Sequence, residues 1–232
     1  FTAVLTNGFS AGAYGVFAVA RRLQQFPLHL AMGFGGGLSR FLPTAESPAE
    51  RDAIATVASG LLVGVATVFG VALYLAAPLV SGVATQGPPF EAVLRVFALG
   101  LPAMVWLFAM TGVLRGLEEV GPLNLALRVG FPLAQLAVGV VGTVVFGDLV
   151  AVAVGVVAVS GLVGLAVAAW LASERALRPR LRAGNRSNRD GDGDGGDSDA
   201  DVTDEPPVWR RYLRYTFPLF LSAFATTFQR LR

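Results

Sequence analysis

The chain has 232 residues, 54% of them hydrophobic and only 15% charged. Soluble domains carry about 25% charged residues, so this composition excludes an ordinary water-soluble domain and indicates an integral membrane protein. The formal net charge of +2 hides strong segregation, since few charges precede Glu174 and most of the rest fall between Glu174 and Arg214, while the absence of Cys excludes disulfides, thiolate metal sites and Cys nucleophiles.

Residues 1–9 are too few to cross a bilayer, which takes roughly 20 apolar residues, and read as the end of a truncated first helix. With Phe1 in place of a start Met and Arg232 ending inside an apolar run, the chain is expected to be a fragment. Ser10 to Tyr14 reads as a small-residue turn. A helix over 12–42 follows, expected to break or kink near Pro27 and to loosen at Gly33, Gly35, Gly36 and Gly37.

This second segment is apolar enough to enter a membrane, yet it contains Arg21, Arg22, Gln24, Gln25 and His29. A cation at the bilayer centre costs roughly 2.5–3.5 kcal/mol on insertion scales, so such residues normally face a protein interior or a watery cavity. Helical spacing puts Arg21, Gln25 and His29 on one stripe, and at ~1.5 Å per residue Arg21 lies about 15 Å past the turn, near the middle of a ~30 Å hydrocarbon core.

A charged loop, Thr44 to Asp52, leads to an uncharged span over 53–80, where Gly60 and Gly64 form a GxxxG pair compatible with close helix contact. Ser81 to Pro89 is an uncharged turn. The span over 92–114 carries Arg95 near its start and Pro102 in its middle. After RGLEEVGP, the span over 121–146 places Asn124, Arg128 and Gln135 on one α-helical stripe. Gly147 and Asp148 make a tight turn into an uncharged span over 149–172.

Residues 173–207, basic first and then rich in Asp and Gly, cannot bury a core and read as a disordered linker. Their DGDGDGGDSD run lacks the closing Glu and flanking helices of a calcium loop, so no metal is expected there. Residues 208–232 open with WRRYLRY, an interfacial anchor, and begin a further span. Arginines occur in every second loop. The positive-inside rule therefore puts Arg40, Arg51, Arg115 and the 173–207 linker in the cytoplasm, and Ser10–Ala13, Ser81–Pro89 and Asp148 outside.

Enzyme chemistry has little to stand on. One His, no Cys and no Asp or Glu inside any expected span give no converging catalytic set, and GFGGG lacks the Lys and Ser/Thr of a Walker loop. Neither an enzyme nor a cofactor is expected. What remains is intramembrane cation without intramembrane anion: Arg21, Arg22 and Arg128, with Arg95 and Arg230 as further additions. Carboxylates elsewhere could neutralise them, or an anionic ligand such as phosphate or pyrophosphate, which suits the planar fork of Arg. The plainer alternative is that the arginines bond carbonyls freed at Pro27, Pro102 and Pro132 or reach an interface.

The run FTAVLTNGFSAGAYGVFAVARRLQQFPLHLAMGFGGGLSRFLP resembles the first helix, YG turn and second helix of the lipid-linked oligosaccharide flippases, the polysaccharide-biosynthesis branch of the multidrug/oligosaccharidyl-lipid/polysaccharide exporter superfamily. GVLRGLEEVGPLNLALRVGFPLAQL is similar to that family's fourth-to-fifth helix hairpin, and RRYLRYTFPLFLSAFATTF to the start of its seventh helix. The turn departs at Asn7 from the family's more usual Arg-Leu-Leu-Gly-Pro-like version.

The resemblance implies an all-α transmembrane protein with two six-helix bundles around a central cavity. Residues 1–172 would be the N-terminal bundle with its first helix truncated, and 208–232 the start of helix seven. It further implies alternating access and translocation of a lipid-(pyro)phosphate-linked oligosaccharide across the cell membrane. The expected partners are that anionic lipid-linked sugar, membrane lipids and a coupling ion, with no nucleic acid. Arg21, Arg22 and Arg128 would engage phosphate, with Gln25, His29, Asn124 and Gln135 beside them. The alternatives are a cation-coupled multidrug exporter of the same superfamily, or a non-transporting scaffold or truncated remnant.

Overall fold

The computed structural model describes residues 1–45, 47–83 and 88–173. The expectations for the linker, for Trp209 to Tyr215 and for Arg230 fall outside these residues. Among the described residues the chain is helical throughout, with no strand.

The elements in order are α1 (Thr2–Gly8), α2 (Ala11–Phe41), a 3₁₀ turn (Leu42–Thr44), α3 (Pro48–Val83), α4 (Pro88–Gly116), and a fourth long helical stretch built in pieces. Those pieces are α5 (Val120–Asn124), a π-helical segment (Leu125–Gly130), α6 (Phe131–Val141) and a second π segment (Gly142–Phe146). Finally α7 covers Leu149–Ser173. Among the described residues four stretches are long and apolar enough to cross a membrane: Ala49–Val83, Pro89–Gly116, Leu125–Phe146 and Leu149–Ser173. This is a membrane-embedded helical protein.

Local chemistry explains where the helices begin. Ser10 caps α2, its hydroxyl accepting from Ala13 N at 3.2 Å, so the expected five-residue turn shrinks to Phe9 and Ser10. At α3 Ser47 Oγ accepts from Glu50 N at 3.1 Å, with Pro48 opening the helix and Glu50 in its first turn. Proline at the first position and an acid near the N-terminus both favour initiation, so the charged loop is shorter than expected and the helix starts at Pro48 instead of Ala53. Between the second π segment and α7, Gly147 takes φ 60°, the left-handed conformation that glycine adopts freely, and Asp148 Oδ1 accepts from Val150 N at 3.1 Å.

The core sits around α4, which packs on α3, α7 and α2 and is the most buried of the four long apolar stretches. Between Arg95 and Arg115 its residues are apolar nearly all round, as a helix enclosed by others requires. Phe90, Phe97, Leu94, Leu101 and Leu114 are fully buried, and Phe17 of α2 meets Phe97 edge-on at 5.3 Å between ring centroids.

Two expectations are corrected here. The helix over 11–41 runs unbroken through Pro27 and through Gly33–Gly37; Pro27 and Leu28 are buried, and packing of α2 along α4 holds the helix where its ladder lacks a bond. Among the described residues Gly60 and Gly64 do not mediate close contact, since a Cβ at either would meet nothing within 4 Å. Close approach occurs elsewhere: a Cβ on Gly164 would lie 3.3 Å from Leu107 N, and one on Gly70 would lie 2.6 Å from Ala98 O.

Candidate functional site

Two helices carry polar groups to a common depth. Arg21 lies about 15 Å along α2 from Ala11, and Gln135 lies about 16 Å from Phe146 at the corresponding end of its own stretch, taking ~1.5 Å per residue. Those two ends are held together by α1. Gly8 packs against Thr143, and Phe1 packs near Gly139. Both polar groups therefore stand at corresponding heights along their helices.

Between these helices is a pocket of about 510 Å³. Arg21, Arg22, Gln25 and Gln135 all line it, together with Phe1, Tyr14 and Phe17. Four of the seven residues expected from sequence thus meet at one site. The Arg21 guanidinium stands over the Phe1 ring at 5.1 Å from its centroid. A cation on an aromatic face keeps its in-plane donors available for another partner. Among the described residues no carboxylate pairs with Arg21 or Arg22, and no acidic residue lines the pocket.

The other three expected residues lie apart from it. His29 is exposed, its Nδ1 2.6 Å from the Gln25 carbonyl one turn back, and it does not line the pocket. Arg128 is exposed and Asn124 only part-buried, both outside the lining. The reason is winding. Residues 125–130 form a π-helix, which takes up an extra residue per turn, so the α-helical spacing that aligned Asn124 and Arg128 with Gln135 does not hold through that segment. The expected encounter of the Arg21 stripe with Arg128 is replaced by its encounter with Gln135.

Sequence reasoning missed Tyr14. It precedes Arg21 by two helical turns on the same face, a signal available in the spacing but hidden by the reading of Ser10 to Tyr14 as a small-residue turn. Gln24 has a different task from its neighbour Gln25: it is buried, and its Nε2 donates to the Phe97 carbonyl at 2.9 Å, fixing α2 to α4. Of the polar side chains in this part of α2, it is the glutamine that bonds a carbonyl of α4, a role considered for the arginines.

No family model, curated protein or solved structure matches the chain. The site therefore has to be interpreted from its own chemistry.

What that chemistry offers is a cationic, donor-rich recess with aromatic walls. Two guanidiniums and two amides can supply many N–H donors to one multivalent oxyanion.

Proposed function

We propose that the chain forms part of a transporter that moves an anionic, lipid-(pyro)phosphate-linked oligosaccharide across the cell membrane. The observation that carries this reading is the convergence of Arg21, Arg22, Gln25 and Gln135 on one pocket of a membrane-embedded helical protein, with no acidic residue among its described lining. Uncompensated cations in lipid are costly, and a phosphate-bearing substrate supplies the missing anion. The glutamine amides and the Tyr14 hydroxyl provide neutral hydrogen bonds of the kind sugars and phosphate esters accept and donate. Arg-rich loops keep one set of helix ends, with the linker, on the cytoplasmic side, where such substrates would be loaded.

The cation-coupled exporter reading needs a carboxylate at the transport site, and this pocket has none in its lining. The discriminating experiment is glycan export, or flipping of a fluorescent lipid-linked sugar in vesicles, by the complete protein. Arg21→Ala should abolish it with membrane insertion intact, whereas Arg128→Ala, outside the pocket, should retain most of it. Normal export in Arg21→Ala removes the anion site and the reading with it.

A further inference from the structure

The stretch from Val120 to Phe146 carries two registers, one in its sequence and one in its structure. Wound as a plain α-helix, at about 100° per residue, Asn124, Arg128 and Gln135 would fall within roughly 40° of one another and form a single polar face. In the structure they do not, because residues 125–130 are π-wound: Phe131 N donates to the Ala126 carbonyl five residues back. A second π segment, Gly142–Phe146, follows α6. An α-helical piece of 11 residues thus lies between two wide turns, each holding more residues than α winding would.

Little holds α6 in its present register. Leu125–Phe146 is the least buried of the four long apolar stretches, and within α6 only Gly139 is buried, next to Phe1. Pro132 has no N–H, so no backbone bond is donated at that position in either winding and none is lost in passing between them. The end towards α4 is tied more firmly. Glu119 N donates to Leu114 O at 3.0 Å and Leu123 N to Glu119 O at 3.3 Å, fixing α5 to the central helix through a short turn. When residues 125–130 take α winding, it is therefore α6 that has to turn, and the second π segment that takes up the residue released.

The movement is one register step, about 100° and 1.5 Å. Each residue of α6 then takes the place its successor holds now. Ala134 replaces Gln135 in the arginine pocket, and Gln135 moves round to the face of Asn124 and Arg128, which stay outside the pocket. Val138 arrives where Gly139 now sits, and a Cβ there would already lie 3.0 Å from Phe1 Cδ2. Phe1 is the ring beneath the Arg21 guanidinium. One step of α6 thus withdraws an amide from the pocket and displaces the support of its cation.

From these features we infer that α6 is a rotary switch of the arginine pocket. The π turns at 125–130 and 142–146 let it step by one residue between a register with Gln135 in the pocket, which holds the oxyanion, and a register with Ala134 there, which releases it. The consequence for the anion rests on the reading of that pocket as an oxyanion site; the step itself does not.

Two glycines allow the step to be biased without touching the pocket. A Cβ on Gly130 would lie 3.3 Å from Leu125 O, a tight contact in the π turn, while α winding favours Ala over Gly about fivefold. A Cβ on Gly155 of α7 would lie 2.5 Å from Val138 Cγ1, leaving too little room for Val138 but room for Ala137, which the step puts in its place. The 232 residues contain no Cys, so nitroxide labels can be placed at chosen sites. In the complete protein in phosphatidylcholine vesicles, distances are measured by pulsed electron paramagnetic resonance from Leu136→Cys to Leu162→Cys of α7 and, in a separate preparation, to Val68→Cys of α3, all three positions being exposed. On a helix about 10–12 Å across, the step carries the α6 label roughly 8 Å, so two distance populations are expected. Gly130→Ala should raise the ratio of the second to the first about fivefold, Gly155→Ala should shift it the same way, and saturating polyprenyl pyrophosphate should lower it. A pair at Gly121→Cys and Leu162→Cys should keep one distance throughout. A single distance for the Leu136 pairs, unmoved by either glycine variant, overturns the switch, and so does equal movement of the Gly121 pair, which would mean a tilt of the whole stretch. A ratio that answers to the glycine variants but not to polyprenyl pyrophosphate supports the step and overturns its link to an oxyanion site.

Discussion

The two cavities of this protein are built from the same kind of helices but differ in what their walls lack. Around the larger one, positive charge is present and its counter-charge is missing: Arg21 and Arg22 face a recess with no acidic lining. Around the smaller one, about 290 Å³ between α3, α4 and α7, the lining is mostly apolar with Asp52 at the rim, and the buried Ser59 Oγ and Trp106 Nε1 have no partner among the described residues. An uncompensated group indicates the chemistry of what should fill a cavity. By that measure the first asks for an oxyanion and the second, with a carboxylate at its rim, does not.

The difference can be broken first at Arg21. Hydrogen bonds to charged groups are worth about 1.5–3 kcal/mol, so Arg21→Ala should weaken binding of a polyprenyl pyrophosphate to the purified protein about 10- to 100-fold in equilibrium titration. Trp106→Phe, in the other cavity, should leave that affinity unchanged. If both variants bind alike, the cavities are not chemically distinct.

Next in size is the packing that separates them. Gly164→Ala drives a methyl group to 2.6 Å from Trp106 Cδ1 and against the Leu107 backbone, and should destabilise the protein by about 1–3 kcal/mol in denaturant unfolding. Gly60→Ala, on an open wall, should stay within about 0.5 kcal/mol. Smaller again is Gln24→Leu, which deletes the bond to Phe97 O and should cost about 1 kcal/mol by the same measurement. It should also loosen α2 from α4, so its effect on anion binding should exceed that of the similarly conservative His29→Leu.

The last prediction concerns the turn after α4. Glu118 has φ 61°, in the left-handed region that costs a non-glycine residue roughly 1–2 kcal/mol, while its neighbours close the helix through Glu119 N to Leu114 O at 3.0 Å. Glu118→Gly should raise stability by up to about 1 kcal/mol, without altering either cavity. A thermal-shift measurement showing destabilisation would mean that the Glu118 side chain contributes something its backbone conformation does not reveal.

Much of the helix plan was legible because apolar runs and their interruptions are local properties. Arginine and glutamine inside an apolar run marked α2, and Gly147–Asp148 marked the turn before α7. The start of α3 was legible too. Ser47, Pro48 and Glu50 form an N-terminal signature, outweighed in the reading by the charge density of the loop around them. Two things were not available locally. The central position of α4 is a matter of which neighbours enclose it, and an all-round apolar helix looks the same whether lipid or protein surrounds it. The facing of Arg128 depended on π winding over 125–130, which no spacing in that stretch announces. The same limit explains the glycines. A GxxxG spacing marks a smooth helix face, but whether a neighbour comes close is decided by tertiary packing, and here Gly164 and Gly70 meet partners while Gly60 and Gly64 do not.

The most direct test of the central claim is the location of a bound substrate analogue. A polyprenyl pyrophosphate with a photoreactive group beside the pyrophosphate can be crosslinked to the protein in vesicles and its adducts mapped by mass spectrometry. Adducts confined to α2 around Tyr14 to Gln25 and to α6 near Gln135, and lost in Arg21→Ala, are the predicted result. Adducts on the Asp52–Gly60 and Trp106 walls, or an unchanged pattern in Arg21→Ala, would contradict it.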